Sequence, residues 1–136
     1  MVKVSLFLKL NFQFLDSHRT KRKENYPFQP PYAYAVTLMW HPNIDSSIPP
    51  GKLNICLDLI NPDLVGKVDA STGASGWTPS KTLVSIIEAF KGMMHCEAPF
   101  FNPSDPLNHE AGEEYYRNQK KFESKAKKWT EKYAID

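Results

Sequence analysis

The apolar residues of this chain change period part-way along it, from two in the first forty residues to helical spacing beyond Trp77. Val4, Leu6, Leu8, Leu10, Phe12 and Phe14 share one parity, with Lys3, Ser5, Lys9, Asn11 and Gln13 on the other, which predicts a half-buried antiparallel strand over residues 4–14. Tyr32, Tyr34, Val36, Leu38 and Trp40 repeat the pattern and predict a second strand. Thr78 followed by Pro79 reads as an N-cap with proline at the first helical position. Leu83, Ile86, Ile87 and Phe90 then fall at i, i+3, i+4 and i+7, the stripe of an amphipathic helix. Residues 110–117 predict another helix, and Phe122, Ala126, Trp129 and Tyr133 stripe a last one. Strands first and helices later predict an α+β fold, an antiparallel meander sheet with C-terminal helices packed on it.

At 136 residues the chain is one domain in length, and a domain of this size buries roughly two-thirds of its unfolded surface without needing staples. Its two cysteines, Cys56 and Cys96, lie far apart and without metal-ligand spacing, so neither a disulfide framework nor a metal site is expected, nor any cofactor. The net charge of +2 and a basic run at 16–25 with no interleaved aromatics argue against a nucleic-acid partner. The apolar start is interrupted by Lys3, Lys9, Asn11 and Gln13, so it fits neither a signal peptide nor a membrane span. Cytoplasm or nucleus is the expected location.

The connections carry as much information as the regular elements. Tyr26-Pro27-Phe28-Gln29-Pro30-Pro31 is stiff and poor in backbone donors, which excludes it from the middle of a sheet. His41 to Pro50 is turn-rich, and Leu53 to Leu59 is a short apolar run around Cys56. Asn61 to Gly76, with Pro62, Gly66, Gly73 and Gly76, reads as a mobile loop. Pro99, Pro103 and Pro106 break the chain between the predicted helices.

His41-Pro42-Asn43, then Ile55-Cys56-Leu57-Asp58, then Trp77-Thr78-Pro79 and Asp105-Pro106-Leu107 follow the Tyr-Pro-Phe-Gln-Pro-Pro stretch in that order. With the terminal Lys127-Lys128-Trp129-Thr130-Glu131-Lys132-Tyr133-Ala134, these residues resemble the ubiquitin-conjugating enzyme family from about Val4 to the end of the chain. The resemblance implies that Cys56 accepts ubiquitin or a ubiquitin-like protein as a thioester from an activating enzyme, then yields it to a substrate lysine or a ligase cysteine. Thiolate is the nucleophile in such exchange, and an activated acyl donor compensates for its small fraction at neutral pH. A lone cysteine is otherwise most often a buried structural residue.

Further roles follow from the same resemblance. Asn43 matches the asparagine associated with the oxyanion of lysine attack, where an amide donor stabilises developing charge; bracing a loop through backbone hydrogen bonds is the other role open to it. Asp105 matches the acidic residue that positions or helps deprotonate the incoming lysine, and Asp58 is a second candidate. Phe28, Pro79 and Ser80 match the ligase-docking positions, a hydrophobic anchor beside a rigid loop. His41 is structural in the family, and no other histidine suggests a cysteine hydrolase. Partners implied are ubiquitin or a relative, the activating enzyme, ligases and substrate proteins.

The chain departs from the family pattern at its start, where the usual N-terminal helix and first strand are not found, so a truncated core is expected. Inserted loops are expected at about 15–25, 46–53 and 60–76 within a single domain spanning 1–136. The alternative function is a catalytically inactive, ubiquitin-binding or scaffolding variant of the same fold.

Overall fold

The computed structural model describes residues 10–13, 26–49, 51–70 and 73–134, with residues 10–13 described by backbone alone. The predicted insertion at 15–25 and most of the first predicted strand lie outside these residues. Strand β1 is Leu10–Gln13 and strand β2 is Tyr32–Ala35, hydrogen-bonded neighbours in a two-stranded sheet. Among the described residues three α-helices follow: α1 Leu83–Met94, α2 His109–Arg117 and α3 Gln119–Tyr133.

The second strand is shorter than its alternating sequence predicts. Beyond Ala35 the chain leaves the sheet, and Ser46 takes the place of a neighbouring strand. Its hydroxyl accepts from the Met39 N–H and donates to the Met39 carbonyl, each at 2.8 Å. Among the described residues the expected meander is therefore one strand pair supplemented by isolated antiparallel bridges, His41 to Ile44, Ile44 to Ile55 and Val68 to Ser75.

Helix α1 starts four residues later than Thr78-Pro79 suggests. Thr82 and Ser85 form a reciprocal capping box, the Thr82 hydroxyl accepting from the Ser85 N–H while the Ser85 hydroxyl accepts from the Thr82 N–H. Thr78 instead closes a turn, its carbonyl accepting from the Lys81 N–H at 2.9 Å. Ile86, Ala89, Phe90, Met93 and Met94 form the buried face, and Ile87, expected on it, is exposed.

The chain divides into two compact units, one holding residues 34–56 and 101–134, the other residues 26–33 and 57–100. In the first, Trp40, Ala111 and Phe122 form a buried nucleus with Tyr115, Ala126 and Trp129 against it. Trp40 and Trp129 lie 5.5 Å apart between ring centroids, and Tyr115 meets Phe101 at 5.1 Å and Phe122 at 5.4 Å, both edge-on. Such pairings add about 0.5–1.5 kcal/mol each beyond burial.

A buried carboxylate locks α2 to α3 within this nucleus. Glu114 on α2 accepts from the Trp40 indole at 3.0 Å and pairs with Lys121 at 2.8 Å, while Lys125 approaches at 3.7 Å and lies over the Trp40 ring. Burial opposes the charge of Glu114, but the Lys121 hydrogen bond, the two ammonium charges and the indole outweigh it, holding its carboxyl below the ordinary value of 4.5.

A group whose pKa is lowered on folding stabilises the fold above its unfolded value, and that contribution is lost as the pH falls through the folded value. The stability advantage of the wild type over Glu114→Gln is therefore expected to be largest above about pH 5 and to shrink on acidification, measured as Tm against pH. A constant difference between pH 7 and pH 3 would remove the ion pair from this account.

Candidate functional site

Cys56 ends the first unit in an apolar run that carries one inward polar residue, Asn54. The Asn54 carboxamide pairs with the backbone of Ala35 in both directions, accepting from its N–H and donating to its carbonyl, each at 2.8 Å. It thereby fastens the run to the end of β2. Asn54 was no candidate on sequence grounds, and its only local signal was an asparagine among apolar neighbours. Ile55 bridges Ile44, the Asp45 N–H donates to the Asn54 carbonyl at 3.0 Å, and the Cys56 N–H donates to the Asn43 carbonyl at 2.8 Å. Cys56, at the end of this ladder, is exposed.

Asn43 is buried to 0% exposure and is held from all sides. Its N–H donates to His41 Nδ1 at 3.0 Å, which makes that nitrogen an acceptor. Its side chain pairs with the backbone of Asn102, Nδ2 donating to the Asn102 carbonyl at 2.7 Å and Oδ1 accepting from the Asn102 N–H at 2.9 Å. Of the two roles open to this residue, bracing is the one its contacts display.

The segment braced in this way carries Asp105. Asn43 holds it at Asn102, and the Asn108 N–H donates to the Pro42 carbonyl at 2.9 Å, so the His-Pro-Asn turn grips it at both ends. Ser104 donates to the Asn102 side chain at 2.6 Å within the loop, and Asn108 caps α2 by accepting from the Ala111 N–H. Asp105 is exposed. Cys56, Asn43 and Asp105 thus belong to one unit, with Asn43 bonded to the backbone of both neighbouring segments.

The other predicted residues lie in the second unit. Asp58 opens a 3-10 turn over Asp58–Ile60 and is half-buried. Phe28 is 65% exposed on the proline-rich loop, and Pro79 and Ser80 are exposed on the turn before α1. The fully buried Trp77 joins these two segments, its indole N–H donating to the Pro27 carbonyl at 2.6 Å and its ring lying 6.0 Å from that of Tyr26.

The segment before Trp77, expected to be a mobile loop, has regular hydrogen bonding of its own. Asn61 caps a 3-10 turn at Pro62–Leu64. The Gly66 N–H donates to the Trp77 carbonyl at 2.8 Å, the Gly76 N–H to Lys67 at 2.9 Å and the Asp69 N–H to Ala74 at 2.8 Å, with the Val68–Ser75 bridge between them. This is a hairpin ladder rather than an unpaired flap.

A family profile described as ubiquitin-conjugating enzyme matches residues 9–130 of this chain. The chain belongs to the ubiquitin-conjugating enzyme family. Ubiquitin-conjugating enzyme E2 T of Xenopus laevis is 36% identical over 112 residues, 82% of this chain and 49% of that protein. Ubiquitin-conjugating enzyme E2 5 of Arabidopsis thaliana is 31% identical over 116 residues, 85% of this chain and 52% of that protein. The chain spans about half the length of these curated relatives. Among solved structures, the E2 domain of a Toxoplasma gondii ubiquitin-conjugating enzyme superposes with a TM-score of 0.67 at 26% identity, covering 94% of this chain and 69% of that one. The fold is therefore the α+β fold of the family, as its motifs implied.

Asn43→Asp is expected to test the brace directly. The substitution keeps the shape but turns a donor into a second acceptor facing the Asn102 carbonyl, an uncompensated contact that destabilises by roughly 1–3 kcal/mol. Protonation of the introduced carboxyl restores a donor, so urea unfolding is expected to show a larger deficit at pH 8 than at pH 5. Equal deficits at both pH values would place the donor elsewhere.

Proposed function

We propose that this chain carries ubiquitin or a ubiquitin-like protein as a thioester on Cys56, received from an activating enzyme, and passes it to a substrate lysine or a ligase cysteine. The observation that carries this reading is the exposed position of Cys56, whose backbone hangs on the Asn43 carbonyl while the Asn43 side chain holds the segment bearing Asp105. In charging, the Cys56 thiolate attacks the thioester carbonyl on the activating enzyme. The tetrahedral intermediate collapses by expelling that enzyme's thiolate, so one thioester replaces another.

Discharge to lysine needs a neutral amine, and Asp105 is suited to orient the incoming ammonium and draw off its proton. The amine then attacks the thioester carbonyl, an isopeptide bond forms and the Cys56 thiolate leaves. Asn43 serves this step by keeping the segment of Asp105 in place, with oxyanion stabilisation as its further proposed contribution. Asp58 is a secondary candidate, placed by sequence two residues beyond the cysteine. Phe28, Pro79 and Ser80 are proposed to dock ligases, Phe28 as the apolar anchor. Two cysteines forty residues apart, with no spacing that suggests a disulfide framework, support the reducing conditions of cytoplasm or nucleus as the setting.

Incubation with activating enzyme, ATP and ubiquitin is expected to give a reductant-sensitive adduct on a gel. Cys56→Ala should abolish it, and Cys56→Ser should form more slowly an oxyester that survives reductant. A labile adduct persisting in either variant would assign the chemistry to Cys96, and none in the wild type would favour a non-covalent binding role.

Asp105→Asn is expected to slow discharge of the preformed thioester to free lysine by about 100-fold or more at pH 7. The deficit should narrow as the pH rises toward the ordinary lysine pKa near 10.4, where the amine deprotonates unaided. An undiminished rate at pH 7 removes Asp105 from the step.

A further inference from the structure

Trp77 occupies a junction that no catalytic step uses. Its backbone carbonyl closes the hairpin of residues 66–77 by accepting from the Gly66 N–H at 2.8 Å. Its indole N–H grips the loop of Phe28 by donating to the Pro27 carbonyl at 2.6 Å. Two residues on is the exposed Pro79, whose turn is closed by the Lys81 N–H on Thr78. The neighbouring Gly76 is buried so closely on Leu64 that a Cβ there would run into the Leu64 carbonyl, which seats the hairpin base against the backbone. Burial of Trp77 at 0% exposure leaves its side chain no direct contact with a partner.

We infer that Trp77 is a positioning residue for ligase recognition, setting the Phe28 loop through the Pro27 carbonyl and tying the docking loops to the 66–77 hairpin. The inference rests on the proposed docking role of Phe28 and Pro79. Pro27, Pro30 and Pro31 offer no N–H with which their loop could join a ladder, so a carbonyl-directed bond is a natural means of holding it. The indole N–H of the fully buried Trp77 supplies that bond from a fixed position. A proline loop anchored by such a bond presents an exposed Phe28, 65% accessible, in a defined direction, and pre-ordering of this kind raises affinity by reducing the ordering needed on binding. The same residue ends the hairpin, through its carbonyl on the Gly66 N–H.

The test is a double-mutant cycle on ligase stimulation. The Cys56 thioester is discharged to free lysine with and without a ubiquitin ligase domain, the probe being whichever of a panel stimulates the wild type most. Each variant's stimulation is divided by its own unstimulated rate, so general damage cancels. Trp77→Phe, which keeps an aromatic ring but lacks the N–H, is expected to lose about tenfold in stimulation, as is Phe28→Ala. The double variant is expected to be no worse than Phe28→Ala alone, because the indole acts through the loop.

Additive losses, or full stimulation of Trp77→Phe, overturn the inference. Stimulation that Phe28→Ala leaves intact overturns instead the docking role on which it rests. Should Trp77→Phe not fold, the wild type decides by NMR. The Trp77 indole N–H signal must shift when the ligase domain is added, although the side chain is buried, and an unmoved signal overturns the inference.

Discussion

One buried carboxamide, that of Asn43, supports the arrangement around the exposed thiol. Cys56 lies at the end of a short ladder with few strand bonds, and Asp105 lies in a proline-rich connection that cannot build a ladder of its own. Both need an external fixed point. Asn43 supplies it through the Cys56 N–H on its carbonyl, the Asn102 peptide on both polar atoms of its side chain and its own N–H on His41 Nδ1. Asn43 itself is at 0% exposure, so leaving its polar atoms unpaired would carry a desolvation penalty. Asn54 repeats the device on Ala35. Two asparagine side chains thus stand in for strand neighbours.

Around that fixed point the first unit is rigidified by aromatic contact and by charge. Trp40 packs on Trp129, donates to Glu114 and underlies the Lys125 ammonium, so one side chain joins the residue before His41 to α2 and α3. A buried carboxylate would be unfavourable alone, and removing one partner of such a group leaves a charge uncompensated. Here two lysines and an indole satisfy it, and the lowered pKa of Glu114 records the balance. The second unit uses a neutral counterpart, with Trp77 bonding the Pro27 carbonyl from a dry position.

Several features were legible in the sequence because they depend on neighbours in the chain. The stripe of Phe122, Ala126 and Trp129 marks the inner face of α3, and the order of the His-Pro-Asn, cysteine, tryptophan and Asp-Pro-Leu motifs identifies the family. Local pattern misled where a side chain reached elsewhere. Period two continued to Trp40, but Ser46 satisfies Met39 in place of a strand. Thr78-Pro79 had the residues of a helix start, yet the reciprocal bonds of Thr82 and Ser85 are the better cap. Glycine and serine over 61–76 suggested looseness, whereas Gly66 and Gly73 have φ of 71°, turn conformations that glycine adopts without strain in and beside a paired hairpin.

By itself, then, the sequence determined the family, the succession of strand and helix, and the identity of the residues proposed to do chemistry, since periodicity and motif order are one-dimensional properties. Only the tertiary structure decided what those residues are bonded to. Asn43 and Asn102 are 59 positions apart, Trp40 and Glu114 are 74 apart, and Trp77 and Pro27 are 50 apart. No local propensity encodes such pairs, because a hydrogen bond between distant residues exists only once packing has excluded water and brought donor and acceptor within reach.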